Sequence, residues 1–180
     1  MHSEKRAIPL RRSQSITDYL SRPSGQRRLV IGCGRTPEHV HMGSVEGMPC
    51  SLGQTHEHDF TVDVNPDASP DITMDIMLWR SSPLFTLGTG QFDQVTFEYL
   101  QRGPRRPFSA THIDLWIDAA HALLAPGGLL RFYSGLPAYL NAATQAMNRH
   151  GYRVQRGTIP PQGVPHNRHG HQWCEGARPR

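Results

Sequence analysis

The chain has 180 residues, of which 37% are hydrophobic and 19% charged, and it carries a formal net charge of +4. That length suits one domain with one substantial core, and the balance excludes a disordered chain. No apolar run approaches the roughly 20 residues that a membrane-spanning helix needs, and the basic start, "MHSEKRAIPLRRSQS", lacks the apolar stretch of a secretory signal, so a cytoplasmic protein is expected.

In chain order, residues 1–24 read as a basic arm and a short helix. The positive charge is almost all arginine, with Arg6, Arg11, Arg12, Arg22, Arg27 and Arg28 lying early and Lys5 the single lysine. Such an arm can bind nucleic acid or another polyanion, although no aromatic residues interleave with it as a base-stacking surface requires. "SITDYLSRP" has a Ser15-x-x-Asp18 capping pattern and stops at Pro23. "RRLVIG" is a buried strand closed by Gly32-Cys33-Gly34, where glycine allows a sharp turn and a close backbone approach. Residues 35–58 hold Pro37, Gly43, Gly47, Pro49 and Gly53, too many breakers for one long helix.

"DFTVDVNPD" is a second strand ending at Asp63 and Val64, with an Asn65-Pro66 turn. "PDITMDI" is a short third strand ending at Asp75 and Ile76, and "QFDQVTFEYL" alternates as a fourth, ending at Phe97 and Glu98. Thr111-x-x-Asp114 opens a helix whose apolar residues Ile113, Trp116, Ile117, Ala120, Leu123 and Leu124 follow helical spacing. "APGG" ends it, and "LLRFYSG" is a fifth strand. The next helix has Pro137 in its first turn, an apolar face of Tyr139, Leu140, Ala143 and Met147, and Gly151 just past its end. "GYRVQRG" is a sixth strand. Residues 161–180, rich in Pro, Gly and His, read as an irregular tail.

Strands alternating with helices over 25–160 imply an α/β fold, a three-layer Rossmann-like sandwich with a mostly parallel sheet of six or seven strands and a reduced first helix. Ligands of such sheets bind beyond the carboxyl ends of the strands. A strand-end carboxylate such as Asp63 can accept from ribose hydroxyls, and Asp75 from an amino group such as that of adenine, while Ile76 packs on the ring; alternatively each is a turn or capping residue.

Two other groupings bear on chemistry. The three cysteines, Cys33, Cys50 and Cys174, are odd in number and widely spaced, so no disulfide framework or CxxC metal site is visible. His39-x-His41, His56-x-His58 and His169-x-His171 with Cys174 have loose spacings, and a surface distribution is expected rather than a metal centre.

The ordered set "LVIGCG", "FTVDVNP", "ITMDI", "FDQVTFE" and "AAHALLAPGGLLRFYSG" resembles the class I S-adenosylmethionine-dependent methyltransferases over residues 27–156. The resemblance implies S-adenosylmethionine as cofactor and methyl transfer as activity. It implies that Gly32, Cys33 and Gly34 lie beside the methionine and sugar parts of the cofactor. Asp63 with Val64 would serve the ribose, and Asp75 with Ile76 the adenine. Phe97 and Glu98 would sit near the methionine end and the acceptor, with Glu98 the candidate base and His112 a surface or capping residue. The sequence departs from the family pattern at Val30, where an acid is common, at Thr36, where a glycine is common, and in the breaker-rich 35–58. A small-molecule substrate is expected, with nucleic acid as a second candidate through the arm. The alternative function is a catalytically inactive relative acting as a binding or interaction module.

Overall fold

The computed structural model describes residues 13–32, 58–98, 100, 107–159 and 171–180. Gly34, Cys33 and the breaker-rich 35–57 lie outside the described residues, as do the basic residues 1–12. The elements run α1 (Ile16–Leu20), β1 (Arg28–Ile31), β2 (Phe60–Asp63), a single 3-10 turn (Pro66–Ala68), β3 (Ile72–Thr73), a longer 3-10 helix (Ile76–Ser81), α2 (Pro83–Gly88), β4 (Phe92–Glu98), α3 (Ala110–Leu123), β5 (Leu124–Ser134), α4 (Pro137–Arg149), β6 (Gln155–Ile159) and β7 (His171–Ala177). They form one seven-stranded sheet in the order β3-β2-β1-β4-β5-β7-β6. The β1–β2, β1–β4, β2–β3 and β4–β5 pairs are parallel, and β7 runs antiparallel to both neighbours. The order reverses between β1 and β4, so β1 and β4 flank the switch point of the sheet.

Alternation along each strand sorts the side chains. Leu29 and Ile31, Phe60 and Val62, Val95 and Phe97, and Leu130 and Phe132 belong to a single buried cluster with Ile16 and Tyr19 of α1, Trp79 of the 3-10 helix, Leu84 of α2 and the apolar faces of α3 and α4. The described helices therefore pack on one face of the sheet. Each large apolar side chain buried there stabilises the fold by about 1.5–3 kcal/mol. The intervening residues Val30, Thr61, Thr96, Glu98 and Tyr133 point to the other face and are buried as well.

Local chemistry fixes the elements in place. Ser15 Oγ accepts from the Asp18 amide at 3.1 Å, as the capping pattern requires. Fully buried Tyr19 ties α1 to β1: its hydroxyl accepts from the Arg28 amide at 2.6 Å and lies 2.8 Å from the Arg28 carbonyl. Asp71 brackets β2 and β3, accepting from the Thr61 amide at 2.9 Å through one oxygen and from the Gln14 amide at 2.8 Å through the other.

Several boundaries differ from the sequence reading. The α3 cap is Ser109 rather than Thr111. His112 completes a capping box, its Nδ1 accepting from the Ser109 amide at 3.1 Å. "APGG" does end α3, but the chain is already back in the sheet. Leu124 pairs with Phe92 and Leu129 with Gln94, so residues 125–128 bulge out between two paired positions. Gly128 is required in that bulge because an added Cβ would lie 2.9 Å from the Ala125 carbonyl oxygen. The sixth strand starts at Gln155, after Tyr152 and Val154 have packed on the core.

The tail is not irregular throughout, because His171–Ala177 form β7, inserted between β5 and β6. Gly157 of β6 makes room for it. Any Cβ there would lie 2.2 Å from the Trp173 ring.

Candidate functional site

At the carboxyl ends of β1 and β2 the chain encloses a cleft of about 130 Å³. Five residues expected from the sequence line it: Gly32, Asp63, Val64, Asp75 and Ile76. Gly32 follows β1 directly, and its amide donates to the Val62 carbonyl at 2.8 Å. Its φ of +80° is a conformation that favours glycine. A Cβ at this position would fall 2.4 Å from Leu100 Cδ2 and 2.8 Å from the Glu98 carbonyl oxygen. The glycine is thus demanded by close approach of the β4 end to the β1 end, independently of any ligand.

Asp63 ends β2. One carboxylate oxygen accepts from the Asn65 amide at 2.9 Å, which orients the side chain at the cleft, and Val64 beside it is 65% exposed at the rim. Asp75 caps the 3-10 helix, with Oδ1 accepting from the Met77 amide at 2.9 Å. The capping role and a place in the cleft coexist, since an ionised carboxylate has about four lone-pair sites and the cap uses one. Ile76 is buried and forms part of both the cleft wall and the core.

Six further residues line the cleft that the sequence does not mark as site residues: Ile31, Val62, Met74, Leu100, Phe108 and Trp116. Phe108 and Trp116 form an edge-to-face pair with centroids 4.5 Å apart, and the Phe108 amide donates to the Tyr139 hydroxyl at 2.6 Å. An apolar residue directly before a capping Ser was the available signal for Phe108. Trp116 was read only as a core position of α3.

Phe97 and Glu98 lie outside the lining of the cleft. Phe97 does not present its ring to the cleft. It is fully buried, stacked at 6.2 Å on Trp116 and tilted at 5.6 Å against Phe132, because with Val95 it lies on the helix-facing side of β4. Glu98 lies on the opposite face, buried at 4% exposure, level with Tyr133 of β5 and outside the lining of the cleft.

Of the metal candidates, His39, His41, His56 and His169 lie outside the described residues. Among the described residues no group of three His, Cys, Asp or Glu side chains is placed to hold a metal. Cys174 is buried against Met147 Sδ at 3.9 Å, and burial pushes its thiol up to about 11, so it packs as an apolar residue.

The sheet order, the single antiparallel strand and the cleft at the switch point can be set against known structures. The N-methyltransferase NodS from Bradyrhizobium japonicum WM9, solved in complex with S-adenosyl-L-homocysteine, matches with a TM-score of 0.54 at 17% identity, covering 86% of this chain and 79% of that one. Precorrin-6y C5,15-methyltransferase from Geobacter metallireducens GS-15 matches at 0.52 and 15% identity, covering 91% and 86%. The tRNA (m1A58) methyltransferase TrmI from Aquifex aeolicus matches at 0.53 and 10% identity, covering 92% and 67%.

This is the class I S-adenosylmethionine-dependent methyltransferase fold.

No protein-family model matches the sequence, and no curated protein does. Within the methyltransferase fold, the cleft lies where the strand order reverses, the place at which such sheets bind ligands. Its described wall combines two carboxylate acceptors with an apolar and aromatic surface, a set that suits a ligand with hydroxyls and an amino group to donate and a flat ring to pack. At about 130 Å³ it takes a fraction of a ligand whose usual pocket is about 300–1,000 Å³. Among the described residues, no helix is long and apolar enough to cross a membrane.

Proposed function

We propose that the protein binds S-adenosylmethionine and transfers its methyl group to a small molecule or to an exposed group on a larger one. The observation that carries this reading is the convergence of Asp63, Asp75 and Ile76, distant from Gly32 in sequence, on one cleft beside it at the switch point of a methyltransferase fold. In this reading Asp63 accepts from the ribose hydroxyls, with Val64 at the rim. Asp75 accepts from the adenine amino group and Ile76 packs against the ring, opposite the Phe108–Trp116 pair. Gly32, Cys33 and Gly34 lead the chain past the methionine end. The bound cofactor supplies an activated methyl group on a sulfonium.

The protein's own work is then alignment of acceptor, carbon and sulfur, with a base needed only where the acceptor must lose a proton. Glu98, at the carboxyl end of β4, is the proposed base. Its buried position on the face opposite Phe97 requires the acceptor to reach it from that face. A cytoplasmic setting belongs to the same proposal.

A second reading, a catalytically inactive relative serving as a binding or interaction module, is favoured by two observations. Buried Val30 stands where related sequences often place an acid, and Leu100 with the Glu98 carbonyl closes over Gly32. Calorimetry with S-adenosylmethionine and S-adenosylhomocysteine tests the first reading. Saturable binding that is weakened by Asp63→Ala supports it, and no binding of either ligand at millimolar concentration overturns it.

A further inference from the structure

A second concavity is larger than the one at the carboxyl ends of the strands. A cleft of about 750 Å³ opens at the opposite, amino-terminal edge of the sheet, where β5 and β6 begin and β7 ends. Its charged walls are Arg153, Arg178, Arg180 and Glu175. Glu175 is already neutralised by Arg131, whose Nε lies 2.7 Å from Glu175 Oε2. Three arginines therefore line one open cavity, and no carboxylate side chain among the described residues is paired with any of them.

The backbone holds this arrangement. The Gly127 amide donates to the Arg178 carbonyl at 3.0 Å and the Arg178 amide to the Gly128 carbonyl at 2.8 Å, clamping the end of β7 onto the β5 bulge. The Arg178 guanidinium also donates to the Leu124 carbonyl, which fixes its stem while leaving further N–H groups for a ligand. Gly127, at φ +80°, keeps the floor low, with the nearest atom to an added Cβ being Arg180 Nε at 3.8 Å.

We propose that Arg153, Arg178 and Arg180 form a binding site for a ligand carrying two or more phosphate groups, such as a polyphosphate or a phosphodiester backbone. The planar fork of arginine matches phosphate oxygens bidentately, and three separated cations across an open cleft match several anionic groups rather than one. Among the described residues no aromatic side chain lines the cleft to stack a base; the site reads charge and spacing, not sequence. The site is independent of the methyl-transfer reading, and it rests on neither the cofactor cleft nor the basic arm.

The test compares the full chain with Arg153→Gln/Arg180→Gln, both exposed residues, so that the Arg178–Leu124 contact is kept. Binding of inorganic tripolyphosphate and of a short single-stranded oligouridine is followed by calorimetry at low salt. The proposal expects at least one probe to bind and the double variant to lose about tenfold or more in affinity, the scale of one charge-assisted hydrogen bond. If the oligouridine is the ligand, the slope of log affinity against log salt falls by about 1.4 in the double variant, two phosphate contacts at about 0.7 each for a single strand. Tripolyphosphate binding alone identifies a free polyphosphate as the source, and oligouridine binding alone a nucleic-acid backbone.

A second readout comes from His121, whose protonation the positive charge of Arg178 helps to oppose. Bound polyanion offsets that charge, so the His121 ring titrates at higher pH when the site is filled, and the upward move is lost in the double variant. Binding of neither probe, or equal binding by the double variant, overturns the proposal.

Discussion

The carbonyl oxygen of Glu98 stands 2.8 Å from where a β-carbon on Gly32 would be, so the ends of β1 and β4 meet more closely than any residue but glycine allows. The positive φ at Gly32 adds a second, independent demand. Gly32→Ala is expected to destabilise the fold by about 2–4 kcal/mol, combining left-handed backbone strain with overpacking. The denaturant midpoint of the purified variant measures it. A variant as stable as the parent would show that the glycine serves the ligand and not the chain.

Asp63 is different, because its side chain lines the cleft itself. Its carboxylate orients the Asn65 amide at a strand end and lines the cleft. Asp63→Ala is expected to weaken binding of S-adenosylhomocysteine by about 1–3 kcal/mol, the scale for losing a hydrogen-bonding partner held by a charged group. Asp63→Asn keeps the Asn65 contact and separates loss of charge from loss of the turn. Unchanged calorimetric affinity in the folded Ala variant would remove Asp63 from the proposed ribose site.

Phe97 makes the opposite case, a residue that the sequence placed at the site and the packing places in the core. Its ring is enclosed by Trp116 and Phe132 with no exposed surface. Phe97→Ala is expected to cost about 3–5 kcal/mol of stability, and Phe97→Leu much less because it refills most of the volume. Thermal melts of both variants, followed by calorimetry of the Leu variant, check this. Full stability of the Ala variant, or a Leu variant that melts normally yet no longer binds cofactor, would return Phe97 to the cleft.

These three residues show how far the sequence was legible. The alternation of Leu29, Val30 and Ile31, or of Val95, Thr96 and Phe97, identifies strands and two buried faces, and caps such as Ser15 are visible because their chemistry is local. Gly32, Asp63, Asp75 and Ile76 were legible because each sits at a strand end, and a parallel sheet gathers such ends in one place. What failed was non-local. The face to which Phe97 points depends on which side α3 packs. β7 carries few apolar residues in a Pro, Gly and His rich surrounding, and its pairing depends on Gly157 yielding space to Trp173. The 3-10 helix over Ile76–Ser81 and α2 were missed because Asp75 and Ser82 cap elements too short to show a period. The lining role of Leu100 follows from its approach to Gly32, which no local pattern encodes.

The last prediction concerns pH and the contact between α3 and α4. His121 of α3 stacks on His150 at the end of α4 with ring centroids 4.3 Å apart, and its Nδ1 lies 3.1 Å from the Tyr152 hydroxyl. His150 Nε2 is 2.7 Å from Asp118 Oδ1. Burial lowers the pKa of His121, and the nearby His150 and Arg178 lower it further, against a smaller opposing pull from Asp118. Burial pushes the Tyr152 phenol up to about 12, so it stays neutral throughout the range of interest. With the folded pKa of His121 below its unfolded value of 6.5, the unfolded chain binds the proton more readily. The contribution of His121 to stability is therefore fully present above about 6.5, the unfolded value, and is lost as pH falls through the depressed folded pKa. His121→Gln removes the titration while keeping a polar group beside Tyr152. Thermal melts from neutral pH downward should show the parent losing more stability than His121→Gln, with the gap opening below the unfolded histidine pKa. Parallel curves for the two proteins would mean that the His121 ring takes up its proton in the folded chain without penalty.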